Sequence, residues 1–64
     1  MNGLHSDRPN DRLMTKQEVC DWLRISMRTL ERLVEQGHLP SIKLDHAVRF
    51  HPDDIRAFIE SRRG

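Results

Sequence analysis

The chain has 64 residues, of which 36% are hydrophobic and 33% are charged, and its formal net charge is +1. This composition fits one small globular domain with a thin core, because a domain of this size buries only about 60% of the surface of its unfolded chain. We expect no signal peptide and no membrane span, since no apolar run is long enough.

The only cysteine, Cys20, excludes an internal disulfide and fits a reducing compartment. We therefore expect a cytoplasmic protein, in a bacterial cell or a phage-infected bacterium. Residues 1–12 are polar and are predicted to form a flexible N-terminal tail. Residues 13–64 are predicted to form the folded domain.

The first predicted element is a helix that begins after Thr15. Threonine caps a helix because its side-chain oxygen accepts from the free N–H groups of the first turn. Glu18, three residues later, completes a capping box. Val19, Trp22 and Leu23 recur at helical spacing. This pattern predicts a helix whose apolar stripe, including Trp22, faces the core.

A second helix is predicted from Ser26, a favourable N-cap, to Gly37, which takes the left-handed conformation that ends a helix. Leu30, Leu33 and Val34 form its buried stripe. Successive helical residues turn by about 100°. The residues opposite the stripe or on its flank are Arg28, Arg32, Thr29 and Gln36.

The two helices follow the plan of a helix-turn-helix. The link between them is only Arg24-Ile25-Ser26, and Ile25 is expected to fill the gap between the helices. A helix-turn-helix places its second helix in the major groove of DNA. The arginines on the outer face of that helix therefore favour DNA as the partner.

A β-hairpin is predicted after Pro40, which blocks helix continuation. The segments 42–44 and 48–50 each place one basic residue between two apolar residues. Period-two alternation indicates half-buried strands. The second half of the domain therefore begins with a small wing.

The length of the hairpin loop decides which residues share a face. A three-residue loop, 45–47, places Lys43 opposite Arg49 and apolar residues opposite one another. A two-residue loop, 45–46, places Lys43 opposite Val48 and mixes the faces. We favour the three-residue loop because it sets Lys43 and Arg49 side by side on the solvent face.

A third helix is predicted from Pro52, which suits a first helical position, and the two aspartates after it suit the positive end of the helix dipole. Its buried stripe is Ile55, Phe58 and Ile59. The order helix, helix, hairpin, helix predicts a mostly α protein with a small β-hairpin. This fold class is a winged helix-turn-helix.

Five short motifs occur in order along residues 13–59: Leu13-Met14-Thr15 with Glu18-Val19, Ser26 with Arg28-Thr29-Leu30, Gly37-His38-Leu39-Pro40, Val48-Arg49-Phe50, and Asp54-Ile55 with Ala57-Phe58. This ordered set resembles the excisionase-type family of small winged-helix DNA-binding proteins, which is related to MerR-like regulators. The resemblance implies a winged-helix fold, DNA binding without a cofactor, and a role in phage excision or transcription.

Two positions depart from the family's pattern. The turn carries Arg24 where the family usually has glycine. A left-handed backbone at an arginine costs about 1 kcal/mol. The wing tip carries Asp45 and His46, where the family favours glycine and a basic residue. The acidic tip weakens the expected contact between the wing and phosphate.

Nine residues are predicted to contact DNA. Arginine pairs with guanine through two hydrogen bonds, and basic residues on a wing contact phosphate. The predicted residues are Arg28, Thr29 and Arg32 on the recognition helix, Lys16, Arg24 and Ser26 at the turn and helix starts, and Lys43, His46 and Arg49 on the wing. Glu31 and Glu35 flank the recognition face, where they either repel DNA or pair with Arg28 or Arg32.

Metal binding and catalysis are not expected. The four histidines and Cys20 match no paired-ligand spacing. No nucleophile, base and orienting group form a recognisable arrangement, and the chain is too short to enclose a pocket for a small-molecule substrate. We therefore expect no metal, no cofactor and no enzymatic activity.

Two classes of function remain: a sequence-specific DNA-binding protein, and a protein-interaction module on the same fold. The arginines of the second helix favour the first class, whereas the low net charge and Glu31 and Glu35 leave room for the second. Within DNA binding we favour an excisionase, or recombination directionality factor, over a small transcriptional regulator. The expected partners are double-stranded DNA, a site-specific recombinase of a phage or mobile element, and further copies binding cooperatively to adjacent sites. Free in solution, the chain is expected to be monomeric.

Overall fold

The computed structural model describes residues 12–63. Its elements are α1 (Lys16–Leu23), α2 (Met27–Glu35), β1 (Ile42–Leu44), β2 (Ala47–Arg49) and α3 (Pro52–Arg62). This order confirms the predicted small winged helix-turn-helix. The predicted tail, apart from Arg12, lies outside the described residues. Across residues 12–63, no helix has the length and apolar character needed to cross a membrane.

Helix α1 begins with the predicted capping box and ends in a left-handed residue. Thr15 Oγ1 accepts from the Glu18 N–H at 3.1 Å, and Glu18 Oε1 accepts from the Thr15 N–H at 2.9 Å. Arg24 caps the other end with φ 59° and ψ 47°, and its N–H donates to the carbonyl of Cys20. The left-handed backbone predicted for Arg24 is confirmed. It turns the chain so that α2 begins only three residues later.

Helix α2 is bounded by the predicted cap and the predicted glycine. Ser26 Oγ accepts from the Thr29 N–H at 3.1 Å. Gly37 has φ 81°. Its N–H donates to the Val34 carbonyl at 3.0 Å, and the next N–H donates to the Leu33 carbonyl at 2.9 Å. This pair of bonds is a Schellman motif, which requires a left-handed residue that glycine adopts without strain.

The core lies where the three helices and the wing meet. Its buried apolar side chains are Val19, Cys20, Leu30, Leu39, Phe50 and Ile55. The prediction that Trp22 belongs to the core is wrong, because its side chain is 38% exposed. Val19 and Cys20 are the buried residues of α1. Trp22 therefore lies at the edge of the stripe, where the Arg56 guanidinium sits 5.7 Å from its ring centroid.

The hairpin has the two-residue loop, so the favoured register is wrong. Lys43 pairs with Val48, and Arg49 pairs with Ile42. Asp45, the first loop residue, has φ 57°. Two-residue hairpin loops need positive φ at this position to match the twist of the strands, and aspartate tolerates it better than most residues.

Phe50, just after β2, is joined to the segment before α1. Its N–H donates to the Met14 carbonyl at 2.8 Å, and its carbonyl accepts from the Met14 N–H at 2.7 Å. Phe50 is therefore bridged to the segment before α1, while Ile42 of β1 pairs with Arg49. As a consequence, Lys43 and Arg49 occupy opposite faces of the hairpin, and Leu44 at the wing tip is 49% exposed.

Helix α3 begins at Pro52, as predicted. Its cap is His51, whose Nδ1 accepts from the Asp53 N–H at 3.1 Å. Ile55 is buried, and Phe58 and Ile59 pack against the core. Helix α3 thus covers the core with the predicted stripe.

Candidate nucleic-acid interface

The outer face of α2 presents two arginines to solvent. Arg28 and Arg32 are exposed, one turn apart, and Leu30 between them is fully buried. The ion pairs found among residues 12–63 involve neither arginine. Both guanidinium groups therefore keep their hydrogen-bond donors available to a ligand on this face.

Ser26 and Thr29 organise the start of α2. Besides capping the helix, the Ser26 hydroxyl donates to Thr29 Oγ1 at 3.0 Å. Ser26 thus both accepts and donates within the helix cap. The Thr29 hydroxyl keeps its own hydrogen, and its side chain is partly exposed. Of the two hydroxyl groups, that of Thr29 can still donate a hydrogen bond to a partner.

Arg24 lies in the turn immediately before α2. Its left-handed backbone is fixed by the turn, while its side chain is exposed. None of the ion pairs within residues 12–63 includes it. The turn therefore adds a third available cation next to the arginine face of α2.

Lys16 and Glu31 form an ion pair between α1 and α2. Lys16 Nζ lies 3.3 Å from Glu31 Oε2, with side-chain exposures of 38% and 55%. The suggestion that Glu31 pairs with Arg28 or Arg32 is therefore wrong. Fifteen residues separate the partners. No local spacing in the sequence signals such a contact, which depends on the crossing of the two helices.

An open groove separates α2 from the hairpin. Its apolar floor is formed by Leu30, Val34, Val48 and Phe50. The charged residues that line it are Lys16, Glu31, Glu35 and Lys43. Two cations and two carboxylates give this groove no net charge, although it runs beside the arginine face.

The predicted DNA-binding residues of the wing do not form one cluster. Lys43 lines the groove beside α2, whereas His46 and Arg49 line a second depression beside the start of α1. Arg49 is half-buried, and its Nη1 donates to the Val48 carbonyl at 2.9 Å. Lys16 lines both openings and so connects the two parts of the surface.

The buried position of Cys20 disfavours ionisation of its thiol. Burial raises the pKa of the Cys20 thiol above its ordinary value, and the carboxylates of Asp21 and Glu31 raise it further, while Lys16 lowers it. A protonated, buried thiol is a poor nucleophile and a poor metal ligand. Within residues 12–63, no group of three or more histidine, cysteine or acidic residues is arranged to hold a metal ion.

Comparison with known proteins identifies relatives along most of the chain. The sequence model of the helix-turn-helix domain family matches residues 13–63. A Mycobacterium tuberculosis protein, whose name describes it provisionally as DNA-binding, is 28% identical over 58 residues, covering 91% of this chain and 74% of the relative.

Two uncharacterised proteins are also similar. One, from Mycobacterium bovis, is 33% identical over 55 residues, which cover 86% of this chain and 48% of the relative. The other, from Pasteurella multocida, is 48% identical over 40 residues, which cover 61% of this chain and 62% of the relative. No solved structure matches the chain.

Proposed function

We propose that this chain, which belongs to the helix-turn-helix domain family, binds double-stranded DNA in a sequence-specific manner with the outer face of α2 in the major groove. The observation that carries the proposal is the exposure of Arg28 and Arg32 opposite buried Leu30. A guanidinium donates two parallel hydrogen bonds to O6 and N7 of guanine, the commonest specific contact in the major groove. The mycobacterial relative named for DNA binding supports the same function.

The remaining predicted residues, except Thr29, are proposed to contact the DNA backbone. Phosphate contacts set the register of a helix in the groove, whereas contacts to base edges set the sequence. Arg24 extends the arginine face into the turn, and Ser26 marks the N-terminus of α2, which favours an anion. On the wing, Lys43 is proposed to contact the backbone nearer α2, and His46 and Arg49 the backbone nearer α1. Thr29 is proposed to contact a base edge.

Within DNA binding we propose an architectural role, that of an excisionase acting with a site-specific recombinase. The support is the resemblance of the motifs in residues 13–59 to the excisionase-type family. The arginine face of α2 is small, and single modules of this size bury roughly 600–1,000 Å² of protein surface. One copy is therefore expected to bind weakly, and several copies to bind cooperatively to adjacent sites. A transcriptional regulator of the same fold is the alternative.

Substitution of the α2 arginines tests the groove assignment. A target duplex is first selected from a random pool, and the affinities of Arg28→Ala and Arg32→Ala are measured by fluorescence anisotropy. Each loss is expected to cost about 1–3 kcal/mol of discrimination, which is about 5- to 150-fold in affinity for the target. Arg63→Ala is the control. Arg63 is exposed at the C-terminal end of α3, outside the predicted DNA-binding residues, and pairs with Glu60 at 3.2 Å. If both α2 variants bind like the parent while remaining folded, α2 does not occupy the groove.

A footprint on the DNA that flanks the gene separates the two biological roles. Tandem protected sites next to an attachment site support excision, and a protected promoter supports regulation. Binding to one site and to two adjacent sites is then compared. Tight, non-cooperative binding to a single site, or a stable dimer without DNA in light scattering, would contradict the cooperative array.

A further inference from the structure

The ion pair between Lys16 and Glu31 lies on the surface proposed for DNA. It joins the first residue of α1 to the middle of α2 at 3.3 Å. A carboxylate on this surface opposes the approach of a phosphate, and the proposed groove contacts make no use of it. The pair also occupies the ammonium group that such a phosphate would contact.

Lys16 is well placed for the DNA backbone. It lines both the groove between α2 and the hairpin and the depression beside the start of α1. It is also at the N-terminal end of α1, where the helix dipole favours an anion. A backbone that follows α2 into the major groove would pass these openings, so the partner of Lys16 affects the affinity for phosphate.

We propose that Glu31 limits the affinity of this protein for DNA of any sequence by holding Lys16 away from phosphate. The inference rests on the proposed DNA-binding function. Sequence-independent affinity comes mainly from phosphate contacts, whereas base edges supply discrimination. A residue that weakens one phosphate contact therefore raises the share of the affinity that depends on sequence. Glu31 thus lowers the affinity for all sequences alike and leaves the discrimination between them to the base contacts.

Glu35 provides a matched control on the same helix. It is one turn after Glu31, it is exposed, and it lines the same groove. The ion pairs among residues 12–63 do not include it. Glu35→Gln therefore removes the same charge from the same surface without releasing Lys16. A difference between Glu31→Gln and Glu35→Gln isolates the effect of the ion pair from general repulsion.

The experiment measures the affinity for a labelled duplex of mixed sequence by anisotropy, over roughly 50 to 200 mM salt. Glu31→Gln is expected to bind about two- to fivefold more tightly than Glu35→Gln, which is the range for an exposed ion pair. Its salt dependence should steepen by about 0.9, the value for one added phosphate contact. In a Lys16→Met background the advantage of Glu31→Gln over Glu35→Gln should disappear. Melting temperatures verify that all variants are folded.

Each result has one reading. If the parent binds neither the mixed-sequence duplex nor the target selected from the random pool, the proposed function fails and this inference fails with it. If the parent binds but the two glutamine variants behave alike, general charge repulsion explains both, and restraint of Lys16 is refuted while DNA binding stands. The same conclusion follows if Glu31→Gln keeps its advantage in the Lys16→Met background.

Discussion

Replacement of Arg24 by glycine is expected to stabilise the folded protein. Arg24 has φ 59° and ψ 47°, which places it in the left-handed region. An L-residue in this region pays roughly 1–2 kcal/mol, because its Cβ crowds the following carbonyl oxygen. Glycine has no Cβ and adopts the same backbone without that cost. The bond from the residue 24 N–H to Cys20 is a backbone bond and is retained.

The expected gain is reduced by the unfolded state. Glycine has more conformational freedom to lose on folding, which costs about 0.4–1 kcal/mol. The Arg24 side chain is exposed and takes part in none of the ion pairs of residues 12–63, so its removal adds little cost. The net stabilisation is about 0.5–1 kcal/mol, which raises the Tm of a domain of this size by roughly 2–8 °C.

Thermal unfolding followed by circular dichroism measures this gain. Arg24→Ala is the matched control, since it removes the same side chain but keeps the Cβ and therefore the strain. Its Tm should stay close to that of the parent. If the Tm of Arg24→Gly is equal to or below that of Arg24→Ala, the reasoning is refuted, because removing the Cβ would then not stabilise the left-handed backbone.

Two further predictions concern the wing and the buried thiol. Lys43→Gln should lower the salt dependence of DNA binding by about 0.9, whereas Arg49→Gln should lower it less, because Arg49 is half-buried and bonded to the Val48 carbonyl; equal effects in anisotropy titrations would argue against this difference. Because burial raises the pKa of Cys20 in the folded protein, the unfolded thiol ionises first. The free energy of unfolding should therefore hold steady below the ordinary thiol pKa of about 8.5 and fall as the pH rises through it. Urea denaturation should show this decline in the parent and lose it in Cys20→Ala; an unchanged decline in that variant would assign it to other groups.

The helix boundaries were predictable because local chemistry determines them. The capping box at Thr15, the cap at Ser26 and the left-handed Gly37 each depend on residues within a few positions of one another. The left-handed Arg24 was predictable from a family resemblance rather than from its residue type, since arginine has no preference for that region. Helix boundaries of this kind can be predicted from the sequence without knowing the tertiary structure.

The errors concern the loop conformation of the hairpin and the neighbour of Trp22, which the apolar pattern does not specify. The hairpin register goes with a two-residue loop in which Asp45 has a positive φ, and it does not set apolar residues opposite one another. Trp22 fits the apolar stripe of α1 but contacts Arg56 of α3 at the surface. Periodicity identifies the apolar side of an element. It does not specify which neighbour covers each position on that side.

The corrected register bears on how a chain with a net charge of +1 would bind DNA. If Lys43 and Arg49 shared one face, the wing would offer a strong site for phosphate. Instead Lys43 lies in a groove whose two cations are balanced by Glu31 and Glu35. Arg24, Arg28 and Arg32 of the turn and α2 are exposed and take part in none of the ion pairs of residues 12–63. On the proposed function, the two carboxylates weaken the phosphate contacts made from this groove, so weak binding to random DNA is the expected result of the charge arrangement.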